Sequence, residues 1–267
     1  MKPNNSDFHF KKGFELFNKE QCEKALKEFD LAIKFNPNNP EYYYRKGETL
    51  FMLDRYEDAL KELDKAIELN PNSPEYYYYK GVILYMMDRY EDALNSAQKA
   101  LELNPKDSDY HRLKGQALSA LEKFEEAIKE FDKAIELDPN NPDYHFGKGH
   151  ALFMLDRYED ALKELDKAIE LNPNSPEYYY YKGVILYMMD RYEDALNSAQ
   201  KALELNPKDS DYHRLKGQAL SALEKFEEAI KEFDKAIELD PNNPDYHFGK
   251  GHALFMLDRY EDALKEL

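Results

Sequence analysis

The sequence predicts an all-α solenoid of 34-residue helix pairs, and three observations carry that prediction. An Asn-Pro or Asp-Pro step recurs at Pro37, Pro71, Pro105, Pro139, Pro173, Pro207 and Pro241, each 34 residues from the last. Between these steps the apolar residues fall at helical spacing, and no stretch alternates in the way a strand does. The third observation is a duplication: Leu50 to Leu165 reads the same as Leu152 to Leu267, a shift of 102 residues, or three repeats. Phe-Met-Leu-Asp-Arg-Tyr-Glu-Asp-Ala-Leu-Lys-Glu-Leu therefore stands at 51–63, at 153–165 and at 255–267. Self-similarity at such a period marks an array, because one helix pair cannot bury its apolar face without stacked neighbours.

The repeat at 74–107 shows how each element is specified. Ser73 is placed to cap a helix, Pro74 suits the first helical position, and Glu75 favours the positive end of the helix dipole. The run that follows is apolar nearly all round: Tyr77, Gly81, Leu84 and Met87 share one side, Tyr78, Val82, Tyr85 and Met86 another. A helix apolar on more than one face is either buried or lines a partner surface. Asp88-Arg89 makes the turn. The second helix is amphipathic, with Tyr90, Ala93, Leu94, Ala97, Ala100 and Leu101 inward and Glu91, Asp92, Asn95 and Gln98 outward. Asn104-Pro105 stops it, since proline cannot continue a helix and restricts the residue before it.

Composition narrows the function classes. With 42% apolar and 34% charged residues the chain reads as soluble, and no apolar run approaches the roughly 18 residues needed to span a bilayer. A net charge of −17 argues against nucleic acid and against an anionic membrane surface, both of which need clustered Lys and Arg. Met1-Lys2-Pro3-Asn4-Asn5 lacks the apolar core of a signal peptide, and Cys22 is the single cysteine, so a cytoplasmic protein is expected.

The repeat resembles the tetratricopeptide repeat, whose signature has an aromatic at position 4, Gly at 8, an apolar residue at 11, Ala at 20, an aromatic or apolar residue at 24, Ala at 27 and Pro at 32. Here those are Tyr77, Gly81, Leu84, Ala93, Ala97, Ala100 and Pro105, and in the next repeat His111, Gly115, Leu118, Ala127, Phe131, Ala134 and Pro139. Tyr or His in place of the family's Trp is a mild departure. The resemblance covers essentially the whole chain and implies a right-handed superhelix. In this register the repeats are 6–39, 40–73, 74–107, 108–141, 142–175, 176–209, 210–243 and a partial 244–267, one solenoid preceded by an inter-repeat loop remnant at 1–5. The last repeat stops within its second helix, with no polar capping helix after it. Together with a duplication free of substitution, this points to an engineered or excised array, a recent natural duplication being the alternative.

Candidate chemistry is sparse. His145 and His150 are five apart on a helix, so they do not share a face as metal ligands at i, i+4 would, and no metal or cofactor is expected. Gly147-Lys148-Gly149 lacks the strand and spacing of a phosphate loop, and Gly149 already serves helix packing. Cys22 reads as a buried small hydrophobe, and no catalytic constellation is present, so an enzyme is not expected.

The resemblance implies instead a binding role, because positions 2, 5, 9, 12 and 13 of tetratricopeptide repeats line the concave surface. The expected face comprises Tyr44, Phe51, Tyr78, Val82, Tyr85 and Met86, then a polar step at Arg112 and Gln116, then Phe146, His150, Phe153 and Met154. It returns at Tyr180, Tyr187, Arg214 and Phe248. Aromatics and methionines suit apolar anchors of a peptide, and Arg112 and Arg214 are each expected to hold a carboxylate between such anchors. The acids Glu75 and Asp109 at position 2 favour basic residues elsewhere on the ligand, so its charge is mixed, and they replace the basic residues of the family's carboxylate clamp. A last expectation is weak end-to-end self-association, with Phe10, Phe14 and Phe17 forming an apolar stripe at the first end.

Overall fold

Each 34-residue repeat folds as two antiparallel helices, and the reason is legible in its punctuation. The computed structural model describes residues 5–266, so residues 1–4 of the expected loop remnant at 1–5, and the terminal Leu267, lie outside the described residues. These fall into two compact halves, one running to Pro139 and the other from Asn140. The first half holds α1 (Asn5–Phe17), α2 (Cys22–Phe35), α3 (Pro40–Phe51), α4 (Tyr56–Leu69), α5 (Pro74–Met86), α6 (Tyr90–Leu103), α7 (Ser108–Ala120) and α8 (Phe124–Leu137). The second holds α9 (Pro142–Met154), α10 (Tyr158–Leu171), α11 (Pro176–Met188), α12 (Tyr192–Leu205), α13 (Ser210–Ala222), α14 (Phe226–Leu239), α15 (Pro244–Met256) and α16 (Tyr260–Glu266).

Within each half, every odd-numbered helix packs on the even-numbered helix that follows, and that helix on the next pair. First helices also touch one another along the stack, α3 on α5 and α11 on α13, whereas no two second helices do so among the described residues. The first helices are therefore the inner layer of each curved stack. The alanines explain the close approach: Ala59, Ala66, Ala93 and Ala100 are fully buried, as are their later copies Ala161, Ala168, Ala195 and Ala202.

Loops are closed by side chains matched to the backbone groups they satisfy. Asn70 Oδ1 accepts from the Asn72 N–H at 3.2 Å, an Asx turn wrapped round Pro71, and Asn36, Asn172 and Asp240 do the same. Asn39, Asp107 and Asn141 cap α3, α7 and α9. Ser73 does not cap α5 as expected: its hydroxyl donates to Glu75 Oε2 at 2.7 Å, leaving the capping to backbone geometry and Pro74.

The turns inside the helix pairs each place an acid in the left-handed region, from Glu20 to Asp258, while no described glycine has a positive φ. At Glu122 (φ 59°) this geometry lets the Glu122 N–H donate to Ser119 O at 3.0 Å and the Lys123 N–H to Leu118 O at 2.9 Å, satisfying carbonyls at the end of α7. Where the acid is Asp54, Asp88 or Asp190, it also accepts from the hydroxyl of the tyrosine two residues on. Phe124 and Phe226 follow Glu122 and Glu224 and have no hydroxyl to give. Replacing both glutamates by glycine is therefore expected to stabilise the chain by roughly 0.5–1 kcal/mol per site, since only the strained backbone is relieved. Thermal melting of the double variant checks this.

Candidate functional site

The inner face is built from positions 5, 6, 9, 12 and 13 of successive first helices, and the structure divides the expected residues into two groups. Some are spent on holding the stack together. Tyr44 is only 6% exposed, with its ring 5.0 Å from Tyr76 and 5.4 Å from Tyr79, so it belongs to the core and not to an open face. Its position repeats every 34 residues beside the position-3 tyrosine of the next repeat, and two large rings at that spacing stack on each other. Tyr78 stacks on Tyr110 at 5.1 Å and Tyr180 on Tyr212 at 5.1 Å in the same way. Phe146 packs on Tyr178 at 5.0 Å and Tyr181 at 5.4 Å.

The arginines are spent likewise. Arg214 donates through Nη2 to the Tyr180 hydroxyl (3.0 Å), through Nε to Asp211 (3.0 Å) and through Nη1 to Gln218 (3.2 Å). Arg112 makes the same bonds to Tyr78, Asp109 and Gln116 in the first half. The expectation that these guanidiniums wait for a ligand carboxylate is corrected by this geometry. The acid at position 2 and the tyrosine one repeat earlier lie within reach, and a charge-assisted bond forms at once.

The second group remains open. Phe51, Val82, Tyr85, Phe153 and Tyr187 are half-buried, each aromatic of this set leaning on the tyrosine that opens the following helix, as Tyr187 does on Tyr192 at 5.4 Å. His150 sits edge-on to Tyr181 at 5.4 Å, and burial pushes its pKa down, which keeps the imidazole neutral. His145 turns away from it and bonds Glu164 at 2.7 Å, and no group of described residues is arranged to hold a metal ion. The methionines at position 13 are each about half exposed: Met52 and Met86 in the first half, Met154, Met188 and Met256 in the second. Cys22 is half-buried at the start of α2.

In the second half this face opens into a pocket of about 450 Å³ between α11, α13, α14 and α15, lined by Tyr187, Gln218, Ser221, Ala222, Phe233, Asp245, Phe248, Gly249 and His252. Its existence follows from two small residues. Position 12 carries an aromatic in Phe51, Tyr85, Phe153, Tyr187 and Phe255, but Ser221 here, so the ring that fills the neighbouring repeats is missing. Gly249 forms part of the lining over Phe233, where a Cβ would come within 2.5 Å of the ring. The Ser221 hydroxyl is buried in this wall and has no hydrogen-bond partner among the described residues. Sequence reasoning named Tyr187 and Phe248 but treated the polar step as an interruption. The signal it passed over was the coincidence of Ser-Ala at positions 12 and 13 with a glycine at position 6 of the next repeat.

A stack of helix pairs with an aromatic, methionine-rich inner face defines the class of helical-repeat interaction scaffolds. The family comparison makes this specific. The model described as TPR repeat matches residues 13–54, 47–88, 115–156 and 217–258, together more than half of the chain, and that described as Tetratricopeptide repeat matches 74–107. The chain belongs to the tetratricopeptide repeat family. A further model, Anaphase-promoting complex, cyclosome, subunit 3, matches 154–236.

Among solved structures, MamA 41-end from Desulfovibrio magneticus RS-1 is 26% identical with a TM-score of 0.61, covering 65% of this chain and 98% of its own. YrrB, described as a TPR protein with an unusual peptide-binding site, is 28% identical with a TM-score of 0.57, covering 69% and 95%. A tetratricopeptide repeat protein from Parabacteroides merdae ATCC 43184 covers 97% of this chain and 99% of its own with a TM-score of 0.73, and at 16% identity it shows the shared fold alone. No curated protein matches the sequence. No helix among the described residues is long and apolar enough to cross a membrane.

Proposed function

We propose that this chain is a non-enzymatic cytoplasmic scaffold that binds a segment of another protein along its inner face, with the Ser221 pocket as the principal anchor site. The observation that carries this reading is the pocket itself: aromatic walls from Tyr187 and Phe248, room left by the small Ser221 and Ala222, and a carboxylate at Asp245. Such a site takes a bulky apolar side chain between the Tyr187 and Phe248 rings, beside a basic residue facing Asp245. The exposed methionines of the second half, Met154, Met188 and Met256, adapt to the remainder of an irregular ligand. The peptide-binding site announced for YrrB, a relative by fold and partial sequence, supports the class of ligand.

A peptide selected from a random library on the intact chain provides the test. Tyr187→Ala with Phe248→Ala is expected to weaken it by at least roughly tenfold, a loss of about 1.4 kcal/mol, and Phe248→Ala alone to weaken it with little change in melting because Phe248 is 66% exposed. A selected peptide whose affinity is unmoved by the double variant would place the site elsewhere.

A further inference from the structure

The duplication lets one part of the inner face be compared with its own copy. Helices α5 to α8 and α11 to α14 have the same sequence, each set lies within one half, and neither includes α15 or α16. Both sets spend the same residues on stacking. Tyr78 lies 5.1 Å from Tyr110 and Tyr180 lies 5.1 Å from Tyr212. Arg112 reaches the Tyr78 hydroxyl at 2.9 Å, and Arg214 that of Tyr180 at 3.0 Å.

Both sets also leave the same residues open. On α5, Val82 and Tyr85 are half-buried and Met86 is 54% exposed; on α11, Val184 and Tyr187 are half-buried and Met188 is 54% exposed. Of the residues lining the pocket in the second half, Tyr187, Gln218, Ser221, Ala222 and Phe233 recur 102 residues earlier as Tyr85, Gln116, Ser119, Ala120 and Phe131. Their helices pack in the same order, α5 on α7 and α7 on α8 in one half, α11 on α13 and α13 on α14 in the other. The small pair Ser119-Ala120 therefore leaves the same notch beside Tyr85 that Ser221-Ala222 leaves beside Tyr187.

The charges are copied as well. Burial pushes the Tyr110 hydroxyl up, with Asp107 and Glu75 adding to it, and pushes Tyr212 up to about 12, with Asp209 and Glu177 adding to it. Asp107 and Asp209 are occupied in capping α7 and α13. Glu75 and Glu177 are exposed and pair with no basic side chain among the described residues. Each copy thus joins an apolar notch to a carboxylate without a counter-charge.

We propose that the chain carries two equal binding sites, one centred on Tyr85 and one on Tyr187, and so gathers two copies of one partner. This rests on the inner face being the binding surface, as proposed above. Identical residues in identical surroundings have no means of preferring different ligands, so the second site takes another copy of whatever the first takes. The segment presents a bulky apolar side chain to the notch and a Lys or Arg to Glu75 or Glu177. No comparable surface is built at α1. Phe10 packs on Phe29 and Tyr42, and Phe14 lies under the Arg45 guanidinium, so the stripe expected to support end-to-end self-association is spent within its own half.

The library-selected peptide is the probe, titrated into the intact chain by calorimetry. Two equivalents per chain with one affinity are expected. Tyr85→Ala or Tyr187→Ala is expected to leave one equivalent, its affinity kept within about twofold because the sites share no residue. Met86→Lys or Met188→Lys is expected to do the same by repelling the basic residue, with unchanged melting because each methionine is 54% exposed. A single equivalent that Tyr187→Ala removes and Tyr85→Ala spares would overturn the two-site arrangement while leaving the inner face as the binding surface. Two equivalents that survive Tyr85→Ala with Tyr187→Ala would overturn both. Self-association of the peptide-free chain in sedimentation, lost in that double variant, would also overturn it, because the two surfaces would then bind one another.

Discussion

Gly149→Leu is expected to cost about 3 kcal/mol of stability, and Gly149→Ala close to nothing. The glycine lies where α9 crosses α10, and a Cβ there would stand 3.3 Å from Leu165 Cγ and 3.4 Å from the Ala161 carbonyl oxygen. Alanine needs Leu165 to move by a few tenths of an ångström, and its better helix propensity, worth about 1 kcal/mol over glycine, offsets that strain. Leucine adds three more carbons pointing at a backbone carbonyl that cannot yield, so the two helices must separate. Because neighbouring repeats stabilise one another, the separation weakens the contacts of α11 on α10 as well. Urea denaturation of the two variants measures the contrast. Equal midpoints for leucine and wild type would show that the helices do not approach as described.

Acid is expected to weaken the stack through a repeated carboxylate cluster. His111 Nδ1, Lys114 Nζ and Lys133 Nζ all bond Glu130, at 2.7, 3.0 and 3.1 Å. Burial alone would raise this carboxyl, but the three hydrogen bonds outweigh it and hold the pKa at about 2. Glu28, Glu164, Glu232 and Glu266 are lowered by the same kind of His and Lys partners. The sign follows from linkage: the folded pKa lies below the unfolded one, so the stabilisation is complete above the ordinary value of 4.5 and is lost as pH falls toward 2. At neutral pH the Glu130 cluster contributes about 1–2 kcal/mol once solvent screening at its lysine side is allowed for. Glu130→Gln is expected to lose that amount at about pH 7 and little at about pH 2. Urea midpoints of wild type and variant across that range test it, and parallel curves would count against the cluster.

Much of the architecture is written in the chain itself. The period of Asn-Pro steps sets the loops, the apolar spacing of Tyr90, Ala93, Ala97 and Ala100 sets the inward side of a second helix, and Gly81 with Ala93 sets the close crossing. These follow from local rules, since a helix presents residues three and four apart on one face whatever it packs against. The acids in the left-handed turns are local too, although their composition hides them, because such positions usually read as glycine or asparagine.

The binding face is a different matter. Position alone assigned Tyr44, Tyr78, Phe146 and Tyr180 to it, but whether a ring at position 5 is free depends on the ring at position 3 of the following repeat, and on any arginine that reaches its hydroxyl. Those neighbours are 32 to 34 residues away in sequence and in contact only when the repeats stack. The pocket is likewise a property of four helices at once: Ser221 makes room, Gly249 lets α15 close on Phe233 of α14, and Tyr187 and Phe248 supply walls. The sequence by itself determined the helices, their pairing and the residues that face inward, because these depend on spacing along one chain. Only the tertiary structure decided which inward residues are consumed in stacking and which stay open, because burial is shared between repeats and depends on the volume and reach of distant partners.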